Sequence, residues 1–184
     1  IKLFGGGTSN VVIQQNEVHH NGYAGGQSGN GIWFDYASAS NEENANIVAH
    51  NLVYENQKNG IFLESSSRCQ VHGNVLYNNA KFGNQNEHTN AGIRVDARQT
   101  GRSNSNVIYN NTIVGGYHGL HLTTYNQEAG CSVSGNIVKN NIVDRPEGAA
   151  LRADQGGDND GEWGSGNVYQ HNNFGADRSG FISW

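Results

Sequence analysis

Six short segments of this chain share one pattern: GIWFD (31–35), GIFLE (60–64), GIRVD (92–96), GLHLT (119–123), ALRAD (150–154) and GFISW (180–184). Their fifth positions read Asp35, Glu64, Asp96, Thr123, Asp154 and Trp184. Their third positions read Trp33, Phe62, Arg94, His121, Arg152 and Ile182. Carboxylates, basic groups and flat apolar rings thus recur at fixed offsets. Such a set suits chemistry on a sugar chain. Cleavage of a glycosidic bond by water uses two carboxylates flanking the bond, about 5–5.5 Å apart for retention of configuration and about 6.5–9.5 Å for inversion. Crowded like charges raise the pKa of at least one acid, as a general acid requires. Trp33 and Phe62 offer apolar faces to sugar rings. Arg94, His121 and Arg152 offer donors to hydroxyls or carboxylates.

Those residues act together only if the fold stacks the segments. Each segment alternates with period two, the mark of a strand, with its second and fourth residues turned inward: Ile32 and Phe34, Ile61 and Leu63, Ile93 and Val95, Leu120 and Leu122, Leu151 and Ala153. Successive segments start 27 to 32 residues apart. A second signal precedes each. Asn16, Asn51, Asn74, Asn111, Asn141 and Asn172 all sit in the template V-x-x-N-x-V, with an apolar or aromatic residue three before and two after. One repeat therefore supplies a strand, an Asn bend, a short strand, a loop and a third strand. The fold class this predicts is all-β: a parallel β-helix, or solenoid, of about six coils of roughly 30 residues. The whole chain, 1–184, forms one domain.

Stacking puts equal positions about 4.7–4.9 Å apart. The anchor Asn side chains then form a ladder, bonding to their copies above and below. On the third strand, positions three and five face outward as two columns. Asp35 with Glu64, or Glu64 with Asp96, has the spacing for retention, and Asp35 with Asp96 that for inversion. These three are the catalytic candidates. Trp33, Phe62, Arg94, His121, Arg152, Asp154 and the loop residue Trp163 are the substrate-binding candidates. The same column also reads as a solvated face, since a strand ending in a wet turn often carries Asp or Glu.

Composition agrees with a solenoid. There are 26 Gly, one Pro and 28 Asn, and only 35% of residues are hydrophobic. Gly and Asn tolerate the turn conformations that a chain reversing this often needs. The formal net charge of −5, with no Lys/Arg run, argues against nucleic acid or an anionic membrane as partner. No apolar run has the length of a membrane span, and no signal peptide is visible. The chain opens on Ile1 and shows no polar cap, which suggests a length of a longer β-helix. Cys69 and Cys131 precede anchors two coils apart, further than a disulfide reaches, so free buried thiols are expected. Asp158-Asn159-Asp160-Gly161 is half of a Ca²⁺ loop broken at Gly156, and Asp158 and Asp160 are weak metal candidates.

The V-x-x-N-x-V template, the NGI and HGL strand openings and runs such as NNTIV (110–114) resemble the right-handed parallel β-helix repeat proteins of the pectate-lyase-like superfamily. The resemblance covers essentially the whole chain. It implies a right-handed helix, an extracellular polysaccharide as partner, and a secreted or cell-surface location. It also implies several activities. A glycoside hydrolase, needing no cofactor, is the first expectation. A lyase is the second, with Ca²⁺ held by Glu64 and Asp96 and with Arg94 or Arg152 neutralising a uronate or taking its proton. The third is a solenoid without turnover, either glycan-binding or structural as in an adhesin or tailspike. The NTD, DD, GHG and RIK pattern of polygalacturonases is absent, so that subfamily is not expected.

Overall fold

The computed structural model describes residues 1–22, 29–80, 90–124, 130–155, 162–175 and 182–183, with the backbone alone at 154, 155, 162, 163 and 183. The described secondary structure is all strand and turn, and every paired strand is parallel to its neighbours. Three long sheets run along a solenoid. The first contains Lys2–Phe4, Ile32–Asp35, Ile61–Glu64, Ala91–Ala97, His118–Thr124, Leu151–Gln155 and Ile182–Ser183 in that order. The second contains Val12–Gln14, Asn46–Ala49, Cys69–His72, Val107–Tyr109, Ile137–Lys139 and Val168–Gln170. The third contains Glu17–His19, Leu52–Tyr54, Val75–Tyr77, Thr112–Val114, Ile142–Asp144 and Asn173–Gly175. The second and third sheets each stack six rungs, which span about five full turns, slightly fewer than the six coils expected. A short pair, Ser132–Val133 with Glu162–Trp163, forms a separate sheet.

The core is the narrow column that the repeat requires. Ile32, Phe34, Ile61, Leu63, Ile93, Val95, Leu120, Leu122 and Leu151 from the first sheet meet Ile13, Val48, Val71, Ile108 and Val138 from the second. Val18, Val53, Leu76, Ile113 and Val143 close it from the third. Each is apolar because alternate residues of every strand point inward.

The bends are built by asparagine. Asn16 Nδ2 donates to Asn51 Oδ1 at 3.0 Å, Asn51 to Asn74 at 3.0 Å, Asn74 to Asn111 at 2.9 Å, Asn111 to Asn141 at 3.0 Å and Asn141 to Asn172 at 3.0 Å. The residue before each anchor is left-handed: Gln15, His50, Gly73, Asn110, Asn140 and His171 have φ of 53° to 62°. That backbone turns the chain between the second and third sheets, and the ladder satisfies the amides it leaves inside. Two further ladders flank this one. Asn106, Asn136 and Asn167 stack at the entrance to the second sheet, and Asn21, Asn56 and Asn79 stack at the exit from the third. Cys69 pairs with Asn46 and its N–H donates to Asn106 Oδ1, so a buried thiol fills one place in that row. Neither Cys69 nor Cys131 is in a disulfide, and both are buried. Burial pushes the Cys69 thiol up to about 12.

One expected register is corrected. Aligned as GFISW, the last block places Ile182 in the column of Arg152. In the structure Ile182 pairs with Leu151, and Ser183 with Arg152. The chain is shifted by one residue because Ile182 then packs on the core instead of pointing out.

Candidate functional site

The outer face of the first sheet holds both predicted columns. Lys2, Trp33, Phe62, Arg94, His121 and Arg152 stack in register, as do Phe4, Asp35, Glu64, Asp96, Thr123 and Asp154. The face is not the solvated one that outward positions also allow. Asp96 and His121 are 0% exposed, Arg94 2%, Phe62 3%, Glu64 6% and Asp35 8%. Trp33 and Arg152 are half-buried.

A dry face can carry carboxylates only if each is compensated. Lys2 Nζ lies 2.8 Å from Asp35 Oδ2 and 3.6 Å from the centroid of the Trp33 ring. Arg98 Nε lies 2.9 Å from Glu64 Oε1 and 3.1 Å from Asp96 Oδ2, bridging two rungs. Arg94 Nη2 donates to the same Asp96 oxygen at 2.8 Å. Trp33 Nε1–H donates to Glu64 Oε2 at 2.8 Å. The indole stacks on Phe62 with ring centroids 5.9 Å apart and planes 19° apart. Arg94 and Arg98 lie 5.2 and 5.7 Å from the Phe62 centroid. Aromatic rings thus alternate with charged groups, each ring beside a cation.

Electrostatics single out Glu64. Burial raises its pKa above the ordinary carboxylate value. The Arg98 guanidinium opposes the shift, Asp35 and Asp96 add to it, and the Trp33 N–H opposes it again. Asp96 is held differently: two guanidinium groups share Oδ2, while Oδ1 is buried with no hydrogen-bond partner among the described residues.

Beyond Arg94 its column stays basic, with His121 and Arg152. His121 is buried, with its ring 5.5 Å from that of His118. His118 Nδ1 accepts the Ala149 N–H at 2.9 Å, and its Nε2 faces Arg152 Nη1 at 3.3 Å. Asp154 follows Thr123 in register. Trp163 lies in the separate short sheet, where its backbone pairs with Val133. Asp158 and Asp160 lie outside the described residues. Among the described residues, no group of three or more His, Cys, Asp and Glu side chains could hold a metal ion.

Three side chains at this face escape a reading of the five-residue blocks alone. Arg98 lies two past Asp96, so Arg94, Asp96 and Arg98 share one side of the strand by period two. Lys2 belongs to a preceding rung, KLF, which lacks the leading Gly. His118 stands just before its block, in the row of Asn30 and Asn59.

The comparisons agree with this architecture. Residues 1–100 match the family model described as "Right handed beta helix region". The chain belongs to this family. The helix is accordingly right-handed, and the resemblance to right-handed parallel β-helix repeat proteins holds. No curated protein and no solved structure matches the chain.

Proposed function

We propose that this β-helix acts on an extracellular polysaccharide as a glycoside hydrolase, with Glu64 as general acid and Asp35 as nucleophile. The observation that carries this reading is the pairing of Asp35 with Glu64 on adjacent rungs beneath the stacked Trp33 and Phe62 rings. Adjacent rungs, about 4.7–4.9 Å apart, have the spacing of a retaining pair. The raised pKa of Glu64 favours the protonated form that an acid needs.

In the first step a carboxylate oxygen of Asp35 bonds to the anomeric carbon as the glycosidic C–O bond breaks, and Glu64 gives its proton to the leaving oxygen. In the second, water attacks the glycosyl–Asp35 ester and Glu64 takes the water's proton. Arg98 already contacts Asp96, so it can release Glu64 to the acid form without losing a carboxylate partner. Asp96, pinned by Arg94 and Arg98, is a positioning residue here. Phe62 backs the indole, and Arg152 and His121 extend the face.

A second reading is glycan binding without turnover. Its support is that both Glu64 oxygens already accept donors. Lyase chemistry, which would add Ca²⁺ at Glu64 and Asp96, has less support, because Arg94, one of its two candidate bases beside Arg152, is buried against Asp96.

A glycan panel with product analysis tests the proposal. Hydrolysis releases reducing ends that chelator does not suppress, and Asp35→Asn and Glu64→Gln each cut the rate at least about a thousandfold with the β-sheet spectrum unchanged. Chelator-sensitive products absorbing near the ultraviolet edge would instead mark a lyase. Affinity lost on Trp33→Ala, with no product from wild type, would mark a binding module. Full activity in both carboxylate variants would sink the assignment of roles.

A further inference from the structure

The third sheet carries an interrupted aromatic stack. His19, Tyr54, Tyr77, Val114 and Asp144 occupy one outward column. The rings of His19 and Tyr54 stack at 4.8 Å with planes 12° apart, and those of Tyr54 and Tyr77 at 4.5 Å with planes 7° apart. The stack stops at Val114, whose side chain is too small to fill the next place. At that place lies a cavity of about 540 Å³, lined by Val75, Tyr77, Asn78, Val114, Gly115, Gly116, Arg145 and Glu147. Its size falls within the range of small-ligand sites, about 300–1,000 Å³.

Its walls define the ligand. One face of Tyr77 is covered by Tyr54. The other looks toward the Val114 rung, where a ring-shaped occupant would continue the stack. Gly115 and Gly116, both at positive φ, put bare backbone at the floor. The far side is polar: Arg145 Nε lies 2.8 Å from Asp144 Oδ2, with Arg145 and Glu147 both exposed. Asp144 already neutralises the Arg145 guanidinium, and Glu147 adds a carboxylate to the lining, which disfavours an anion. A carboxylate acceptor and a guanidinium donor beside an apolar ring face suit the hydroxyls and C–H face of a neutral sugar.

We infer that this cavity is a second carbohydrate site, binding one neutral pyranose unit stacked on the open face of Tyr77. It is on a different sheet from the carboxylate pair and does not depend on the hydrolase reading. It would hold a polysaccharide without cleaving it.

The test is calorimetric titration of the Trp33→Ala protein, which removes the first-sheet platform, with cellohexaose, mannohexaose and xylohexaose, and with hexagalacturonate as the anionic comparison. At least one neutral hexasaccharide should bind, and the galacturonate should bind more weakly. Adding Val114→Tyr, which completes the stack and fills the cavity, should weaken binding at least tenfold without lowering the melting temperature. Glu147→Ala, a surface change that leaves the stack intact, should weaken it at least threefold and keeps the test decisive if Val114→Tyr misfolds. Absence of binding by every neutral probe, preference for the anionic one, or unchanged affinity in the Glu147 and Val114 variants would overturn the inference.

Discussion

The first sheet and the other two share one backbone repeat and one core, yet their outer faces differ. Every residue of Ile61–Glu64, Ala91–Ala97 and His118–Thr124 is buried. On the same coils, Val107–Tyr109 and Thr112–Val114 bury only their central residue. The outer face of the first sheet is dry and charged, and its carboxylates depend on Lys2, Arg94 and Arg98. The outer faces of the second and third sheets are wetter, with stacked His and Tyr rings and exposed Val12, Leu52, Val75, Ile142 and Val168. A solenoid needs only the inner column. A buried ionic network on one face is therefore an addition to the fold, and a functional site is the simplest reason to keep it.

Substitutions separate the two kinds of face. Arg94→Ala should be the most damaging, because it leaves Asp96 buried beside a single guanidinium; a loss of about 3–5 kcal/mol in urea unfolding is expected. Asp96→Ala added to it should recover part of that loss, and failure to recover would mean that the pair is not coupled. Asn111→Ala should cost roughly 2–3 kcal/mol, since its amide donates to Val71 O and Asn141 Oδ1 and accepts from Asn74. Asn16→Ala, at the wetter end of the same ladder, should cost clearly less.

Titration should split the faces by sign. Glu64 has a raised pKa, so its contribution to stability is present at low pH and is lost as pH rises through the raised value. Glu64→Gln should therefore gain on wild type as pH rises from about 4. His72, on the second sheet, has a pKa lowered by burial and by His50, so its contribution is lost as pH falls below about 6.5. His72→Gln should gain on wild type as pH falls. The same slope in both variants would remove the contrast. The smallest effect is spectroscopic. A hydrogen bond to Glu17 is the main cause that pushes the Tyr54 phenol up to about 12. Glu17→Gln should bring that phenol back toward 10 in an ultraviolet titration, with little change in stability.

The legible parts of this fold were those that repeat. Six anchors with apolar neighbours at fixed offsets gave the ladder, the inward residues and both columns. The flanking ladders were also encoded, as Asn five residues before or after an anchor (Asn46, Asn51 and Asn56, for example), but Cys69, five before Asn74, and Gly116, five after Asn111, interrupt that spacing. Burial of the first-sheet face was not legible. Period two places a residue outside a strand; it does not say whether solvent reaches it. Arg98 is encoded by the same period, yet its role depends on reaching across to the Glu64 rung. The terminal block was misaligned by one because GFISW resembles GIFLE more closely than its core contact warrants.

The claim that Asp35 and Glu64 form a retaining pair is tested most directly by proton NMR of the first-formed product. The anomeric signal, read before mutarotation, should show the configuration of the bond that was cleaved. An inverted product would contradict the account and move the chemistry to carboxylates two rungs apart, Asp35 and Asp96.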